Sequence, residues 1–386
     1  MPYPAHIIRL SIILTLLAAL SARGVELRSS CPPGFEHTEQ NQCVLRSRYD
    51  EFESVRGRGV GGTRTGLPHF RAGFTPQQID LGRYLFFDPI LSVDQSVSCA
   101  SCHQPEMGFA DGRPRAQDRH GDSLSRSAPS LWNVGFLQRL FWDGRSSSLE
   151  AQLAGPLYAE VEMGNTPENL RRDLNAIPEY RNLFAQAFPQ ATAGIELEQV
   201  YTALAAFESS LVSLNSRYDQ YALGYQAALS DDEIAGLNVF RSFVARCAEC
   251  HTPPLFTNGE IAVIGTPEPA GIPFDRGAGA SQNEPLLEGG FKVPTLRNIA
   301  LTAPYMHSGR YDTLAEAVAF YNGGRGHAAP DDRALTIHWH IHEPNLREHE
   351  IALVVAFLGT LTDQQFMPEV PSHLPSGLNP LSYRQF

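Results

Sequence analysis

The sequence predicts a mostly α-helical protein of two domains with long loops. The length of 386 residues corresponds to two domains at about 150 residues each. Segments with helix-capping residues and helical apolar spacing recur along the chain, whereas strand-like alternation is scarce. A five-residue motif of two cysteines and a histidine occurs twice, once in each half of the chain.

Composition narrows the classes of protein. Hydrophobic residues make up 42% of the chain and charged residues 19%, which excludes a disordered chain and a multi-pass membrane protein. The net charge of −12 and the pI near 5.5 disfavour a nucleic-acid binder. An acidic surface suits a basic protein partner or none. The basic charge is almost all arginine, and Lys292 is the one lysine.

The N-terminal segment has the pattern of a secretory signal. Arg9 precedes an apolar run over residues 12–20, and small residues follow it. The run is shorter than the roughly 20 residues that a membrane span needs, although an uncleaved anchor is the alternative. We predict a signal peptide over 1–22, and no membrane span after its cleavage.

Residues 23–73 are predicted to form an extension outside the two domains. Cys31 and Cys43 flank a Pro-Pro-Gly turn and a polar stretch, which in an exported chain indicates a small disulfide-closed loop. The stretch 57–66 is rich in glycine and has the composition of a loop.

Helical patterns then follow in order. The first begins with Thr75 as cap and Pro76 at the first position, and it ends at Asp88. Further helices are predicted over 166–175, 198–221, from 231 towards the second cysteine motif, over 313–321 and over 347–361. Residues 252–290 are predicted to be a long Gly/Pro-rich loop. The domains are accordingly predicted to cover 74–221 and 222–386.

The repeated motif is Cys-x-x-Cys-His, formed by Cys99, Cys102 and His103 and by Cys247, Cys250 and His251. It is the attachment signature of c-type haem, because two thiols three residues apart bond the two vinyl groups of one haem. The adjacent histidine is then the proximal iron ligand.

Other uses of the two cysteine motifs fit less well. A zinc ribbon places its cysteine pairs about 15–20 residues apart, a thioredoxin-type pair occurs once, and a disulfide between cysteines three residues apart is strained. We therefore predict two covalently bound haem c groups in two cytochrome c-like domains.

From about residue 74 to 362, the chain resembles the bacterial di-haem cytochrome c peroxidases and their relative MauG. The matching stretches are LGRYLF at 81–86, SCASCH at 98–103, FWDGR at 141–145, GP and VEMG within 155–164, and KVPTLRN and LTAPY within 292–305. The resemblance implies a periplasmic oxidoreductase that reacts with hydrogen peroxide at the first haem.

Several roles at the first haem follow from the resemblance. Glu162 matches the acid–base group of the peroxide site, and Gln152 and Pro156 match positions that line the same pocket. The apolar neighbours of Glu162 would also raise the pKa of its carboxyl group, although a solvated acid is the alternative. Trp142 matches the tryptophan that carries electrons between the haems; a core tryptophan is the alternative.

The sixth ligand of the second haem separates two subfamilies. Peroxidases place a methionine there, whereas MauG-like proteins place a tyrosine, and Tyr321 occupies that position here. A phenolate is a hard anionic ligand that favours ferric and more oxidised iron. A plain core role for Tyr321 and ligation by Met306 are the alternatives.

Less specific signals concern metal ions. The resemblance implies a Ca²⁺ between the domains, held by the Thr302 and Pro304 carbonyls, but Ser127 replaces the asparagine of the family. His120 lies where peroxidases carry a removable haem ligand, and it is interpreted as a surface residue. A metal site or a polar loop explains the remaining histidines, His338, His340, His342 and His349.

Three functions are compatible with these residues. We expect a MauG-like enzyme that stores oxidising equivalents on two haems and oxidises aromatic side chains of a partner protein. The alternative is a cytochrome c peroxidase that draws electrons from a small redox protein. A non-enzymatic di-haem electron carrier is the third.

Overall fold

The computed structural model describes residues 25–47, 49, 66–326 and 333–381. The predicted signal at 1–22 and nearly all of the glycine-rich stretch 57–66 lie outside these residues. The described part is mainly helical, as predicted. Its helices are α1 Pro76–Phe87, α2 Cys99–Cys102, α3 Leu149–Tyr158, α4 Pro167–Ala176, α5 Pro178–Ala187, α6 Leu197–Ser209, α7 Arg217–Ala222, α8 Asp231–Phe240, α9 Cys247–Cys250, α10 Ala278–Ser281, α11 Leu314–Phe320 and α12 Glu348–Gly359.

The first core is built on the contact between α1 and α6. Helix α1 begins as predicted, with a capping box between Thr75 and Gln78 that satisfies two amide groups of the first turn. Gly82 allows the two helices to approach closely, because a β-carbon there would lie 1.8 Å from the Ala203 carbonyl oxygen. Leu81 and Leu85 are fully buried in this core.

The second core repeats this arrangement with α8 and α12. A capping box between Ser230 and Glu233 starts α8, as the sequence predicted. Gly236 has the role that Gly82 has in the first core, since a β-carbon there would lie 1.9 Å from the Leu353 carbonyl oxygen. In each half, one helix of the pair precedes the Cys-x-x-Cys-His motif and the other follows it. The motif packs against the core that the two helices form.

The prediction of one long helix over 198–221 was wrong. Helix α6 ends at Ser209, and α7 begins after Ser216, which forms a capping box with Asp219. Between them the chain bonds to Asn133, whose side chain accepts from the Ser213 amide at 2.9 Å and donates to the Ser213 carbonyl. These bonds replace the helical ones, and the Ser-x-x-Asp capping pattern was the signal that the sequence offered.

The two cores do not follow the predicted domain boundaries in every segment. Tyr218 already belongs to the second core, a few residues before the predicted boundary at 221. Leu374 is buried in the first core, and Met367, Val370 and Leu378 pack against it, so the C-terminal segment returns to the first half. Arg83 also donates to the Glu369 carbonyl.

Two small antiparallel sheets complete the described part. Strands β1 Phe35–His37 and β2 Cys43–Leu45 pair beside the disulfide that joins Cys31 to Cys43. Strands β3 Ile261–Val263 and β4 Gly290–Lys292 pair within and just after the stretch predicted as loop only. Among the described residues, no helix combines the length and apolar character that a membrane span requires.

Candidate di-haem site

The first attachment motif lies on the single helical turn α2. The Ser98 amide donates to the Ser101 hydroxyl at 3.0 Å, and the His103 amide donates to the Cys99 carbonyl at 2.9 Å, so both cysteines and His103 are held within one short segment. The Nδ1 atom of His103 lies 2.9 Å from the Phe109 carbonyl oxygen, which leaves Nε2 for an iron ion. Burial lowers the pKa of His103, which keeps the imidazole in the neutral form that binds iron.

The second motif repeats this geometry on α9. The Nδ1 atom of His251 lies 3.1 Å from the Phe256 carbonyl oxygen, and burial lowers the pKa of this imidazole too. Arg246 precedes the turn with φ 57°, so the chain reverses sharply before Cys247. In each motif, a backbone carbonyl five or six residues further along the chain thus orients the histidine ring.

The cysteines fit haem attachment better than a thiolate metal site. Burial raises the pKa of Cys102 and of Cys247 to about 12, so both are neutral thiols in apolar surroundings. Thiolate ligands need the opposite environment, with nearby positive charge. A cavity opens against the second motif, and its wall includes Cys247, Cys250 and His251. These donors and this apolar cavity fit a haem c.

Glu162 lies in the turn that follows α3. The Glu162 amide donates to the Ala159 carbonyl at 3.0 Å, and the Met163 amide donates to Pro156 at 3.1 Å. These bonds fold the turn back over α3. Burial raises the pKa of the Glu162 carboxyl group, with Arg145 opposing it, and the Glu162 charge acts on Cys102. The arrangement provides a proton-carrying group beside the first motif.

Gln152 and Pro156 lie on α3, below this turn. Pro156 is inside the helix and has no amide hydrogen, so it cannot donate to the Gln152 carbonyl four residues earlier. Both side chains are partly buried. The structure therefore brings Glu162, Gln152 and Pro156 together in one local unit of helix and turn.

Trp142 lies between the two halves of the chain. Its indole Nε1 donates to the Ser127 carbonyl at 2.9 Å, and its own carbonyl accepts from the Lys292 amide at 2.7 Å. The side chain lines the same cavity as His251. Trp142 is thus hydrogen-bonded to segments of both halves.

Tyr321 and Met306 both line the cavity of the second motif. Tyr321 follows α11 and lies within electrostatic reach of Cys247 and Cys250; burial raises the pKa of its phenol well above the ordinary value. Met306 lies on the side of the first half, where its carbonyl accepts from the Ser127 hydroxyl at 3.2 Å. The structure thus places both candidate ligands in the wall of the same cavity.

The residues predicted for calcium lie in the cavity wall. Thr302 and Pro304 are both part of it, and Pro304 follows a cis peptide bond. The Ser127 hydroxyl donates to the Met306 carbonyl instead of pointing freely into a cation site. Calcium stays a prediction for this chain.

The other histidines are divided between two places. His120 is exposed in a turn, with its amide bonded to Asp118 at 2.8 Å. His338 and His340 approach Cys250, and the His340 ring contacts Glu249 at 2.8 Å. The His342 Nε2 lies 2.8 Å from the Val244 carbonyl oxygen, and His349 lies on α12. Cys250 belongs to the second Cys-x-x-Cys-His motif, so this group overlaps the predicted haem site.

Sequence reasoning missed a charged network beside Trp142. Arg126 donates two bonds to Asp275 and one to Asp143, at distances from 2.6 to 2.9 Å. Burial of Asp143 favours a higher pKa, but the hydrogen bonds and charges of Arg126 and Arg145 outweigh it and lower the pKa. The network ties the residue after Trp142 to the second half of the chain. Its members are far apart in sequence, so spacing alone gave no signal.

Comparison with known proteins agrees with this geometry. Residues 76–227 match the family described as di-haem cytochrome c peroxidase. The methylamine utilization protein MauG of Methylorubrum extorquens is 34% identical over 86% of this chain and 90% of its own length. The cytochrome c551 peroxidase of Pseudomonas aeruginosa is 33% identical over 76% of this chain and 81% of its own.

Solved structures are similar over most of the chain. A MauG-like protein associated with microbial copper homeostasis has a TM-score of 0.71 and 30% identity, and covers 80% of this chain and 96% of that chain. The di-haem peroxidase BthA of Burkholderia thailandensis has a TM-score of 0.67 and 27% identity, over 83% and 98%. This chain belongs to the family of di-haem cytochrome c peroxidases and MauG proteins, and it is a peroxidase-type oxidoreductase with two haem c groups.

Proposed function

We propose that this protein is a MauG-like enzyme, exported to the periplasm, that uses hydrogen peroxide to oxidise aromatic side chains of a partner protein. The single observation that carries the proposal is the half-buried Tyr321 in the wall of the cavity that also contains both cysteines of the second motif. Cytochrome c peroxidase activity is the second candidate, because a cytochrome c551 peroxidase is 33% identical to this chain.

The haems supply the redox chemistry, and the chain supplies proton control around them. Glu162 is proposed to take a proton from the bound peroxide and return it to the departing oxygen. Its raised pKa suits both steps, because a carboxyl group with an ordinary pKa would hold the proton too weakly. Gln152 and Pro156 are proposed to shape the space in which the peroxide lies.

Trp142 is proposed to relay electrons between the two halves. Its indole hydrogen is bonded to the Ser127 carbonyl, and a carbonyl oxygen is too weak a base to remove this proton. The ring therefore loses an electron without losing its proton. The neighbouring Asp143 remains ionised, since its pKa is lowered, and its bonds to Arg126 and Arg145 hold the segment after Trp142 in place.

Tyr321 is proposed to hold the iron of the second haem through its phenolate oxygen. Burial alone would keep the phenol protonated, so only a cation in the cavity can stabilise the charged form. A hard anionic ligand favours oxidised iron, which suits storage of an oxidising equivalent. A methionine ligand would favour the reduced form instead.

Stopped-flow absorption of the all-ferric, haem-loaded protein tests this proposal, with peroxide added and no reductant present. We expect a prompt and long-lived spectral change that involves both haems. The Tyr321→Met variant should lose the long-lived change, whereas Tyr311→Phe, which alters a nearby phenol outside the cavity wall, should retain it. A requirement for prior reduction of one haem would support the ordinary peroxidase. Absence of reaction in either state would leave an electron carrier.

A further inference from the structure

Lys292 is the one lysine among 30 basic Lys and Arg residues, and it is half-buried. It ends strand β4, and its side chain lines the cavity that also contains His251 and Trp142. Burial alone lowers the pKa of its ammonium group to about 8, with no contribution from a nearby carboxylate. Among the described residues, Lys292 therefore has no acidic side chain to balance its charge.

The other cations of the cavity wall do have acidic neighbours. Three Arg or Lys side chains line the cavity. Arg246 lies 3.4 Å from Glu249, and the charge of Arg113 acts on Asp111. A positive charge that faces an apolar cavity without a counter-charge is unfavourable, because the cavity does not solvate it as water does. Lys292 is the one cation of this wall for which the described residues provide no negative partner.

The two walls of the cavity show where such a group lies. The cysteine wall is on the outer side, where Arg246 stacks over Phe243 and Trp339, whose side chains are 88% and 67% exposed. The Lys292 wall is at the boundary between the halves, where the Lys292 amide bonds to the Trp142 carbonyl. A haem carries its two propionates on the edge opposite to its vinyl groups. Thioether bonds at the outer wall thus direct the propionates inward, towards Lys292.

We propose that the Lys292 ammonium group pairs with a propionate of the second haem and sets the reduction potential of that haem. A positive charge next to a haem stabilises the reduced iron, which carries one positive charge fewer. The long, flexible lysine stem reaches a propionate across the cavity as a point charge, whereas a planar guanidinium needs a wider space. The pairing requires only the two haem c groups and does not depend on which partner the enzyme oxidises.

Potentiometric titration of the haem-loaded full chain tests the pairing. The Lys292→Met variant is expected to lower the midpoint potential of one haem, and Lys292→Arg is expected to restore most of the shift. Arg139→Met is the matched control, because it removes an exposed positive charge that pairs with Glu260 near the same sheet. It should leave both potentials unchanged. Two unchanged potentials in a fully loaded Lys292→Met protein would overturn the proposal.

A second measurement tests the pairing if the Lys292→Met variant does not bind both haems. Resonance Raman spectra of the ferric wild type and of Lys292→Arg report the propionate bending band, which depends on the partner of the propionate. We expect this band to shift in Lys292→Arg, because the new donor has a different geometry. An unchanged band, with both haems bound, would show that no propionate contacts residue 292. Loss of peroxide activity alone would not bear on either measurement.

Discussion

The two halves of this chain share the way in which two helices pack and differ in the side chain that lies beside each Cys-x-x-Cys-His motif. In each half a glycine brings two helices into backbone contact, Gly82 against Ala203 and Gly236 against Leu353. In each half a backbone carbonyl also orients the histidine ring. Beside the first motif, however, lies the acid Glu162, whereas the phenol of Tyr321 faces the second. The comparison teaches that the same helix packing supports both motifs, while the titratable side chain beside each motif differs.

The largest expected effect concerns the acid of the first half. Replacing Glu162 with Gln should slow the reaction of the ferric protein with peroxide by about 10²–10⁴-fold, as loss of a general acid–base group does. Stopped-flow rates measure this effect. Glu160→Gln, two residues away and on the exposed part of the same turn, is the matched control and should react normally. An unchanged rate in Glu162→Gln would remove the main functional difference between the halves.

The pH dependence sharpens this test. Burial raises the pKa of Glu162 above its ordinary value of 4.5. The carboxylate, which is the form that accepts a proton, is therefore lost as the pH falls through this raised pKa. The peroxide rate should decrease on acidification, with an inflection above pH 4.5 that is absent in Glu162→Gln. An inflection that persists in the variant would assign it to another group.

Each half contains a buried ion pair, and the two pairs should contribute differently to the free energy of unfolding. Arg297 donates two bonds to Asp219, and both side chains are fully buried, so Arg297→Met should cost about 3–5 kcal/mol of unfolding free energy. Arg83→Met in the first half should cost less, because Arg28 remains close to its partner Asp80. Urea unfolding followed by circular dichroism measures both. Equal losses would show that Arg28 offers no compensation.

The glycines should respond alike in the two halves. Gly82→Ala and Gly236→Ala each force a β-carbon into a backbone carbonyl and should destabilise their own core by about 1–3 kcal/mol. Gly359→Ala is the control, because a β-carbon there meets open space and alanine is the better helix former. Thermal unfolding of the three variants checks this. A loss in only one half would mean that the two helix contacts are not equivalent.

The smallest effect concerns the helix caps. Thr75 caps α1 and Ser230 caps α8, each in a reciprocal box with the residue three positions later. Alanine at either position should cost about 1 kcal/mol, because one amide group of the first turn loses its partner. Urea midpoints of the two variants provide the measurement, and serine at position 75 should retain most of the stability. No loss at either cap would contradict this account.

Local signals in the sequence predicted much of this molecule. The capping boxes at Thr75 and Ser230 and the two Cys-x-x-Cys-His motifs act over a few residues, so a linear reading finds them. The break after Ser209 was missed because Asn133 makes the decisive bonds from a distance along the chain. For the same reason, the Arg126 network and the lack of an acidic side chain near Lys292 among the described residues could be found only from the structure.

The return of the C-terminal segment has a consequence for biosynthesis. Leu374 and its neighbours complete the core to which α1 belongs. Residues near position 80 therefore make contacts with residues nearly 300 positions later in the chain. The chain is synthesised from its N-terminus, so α1 and the first motif are made well before the segment that closes their core. The first half therefore exposes part of its apolar core until the C-terminal segment packs against it.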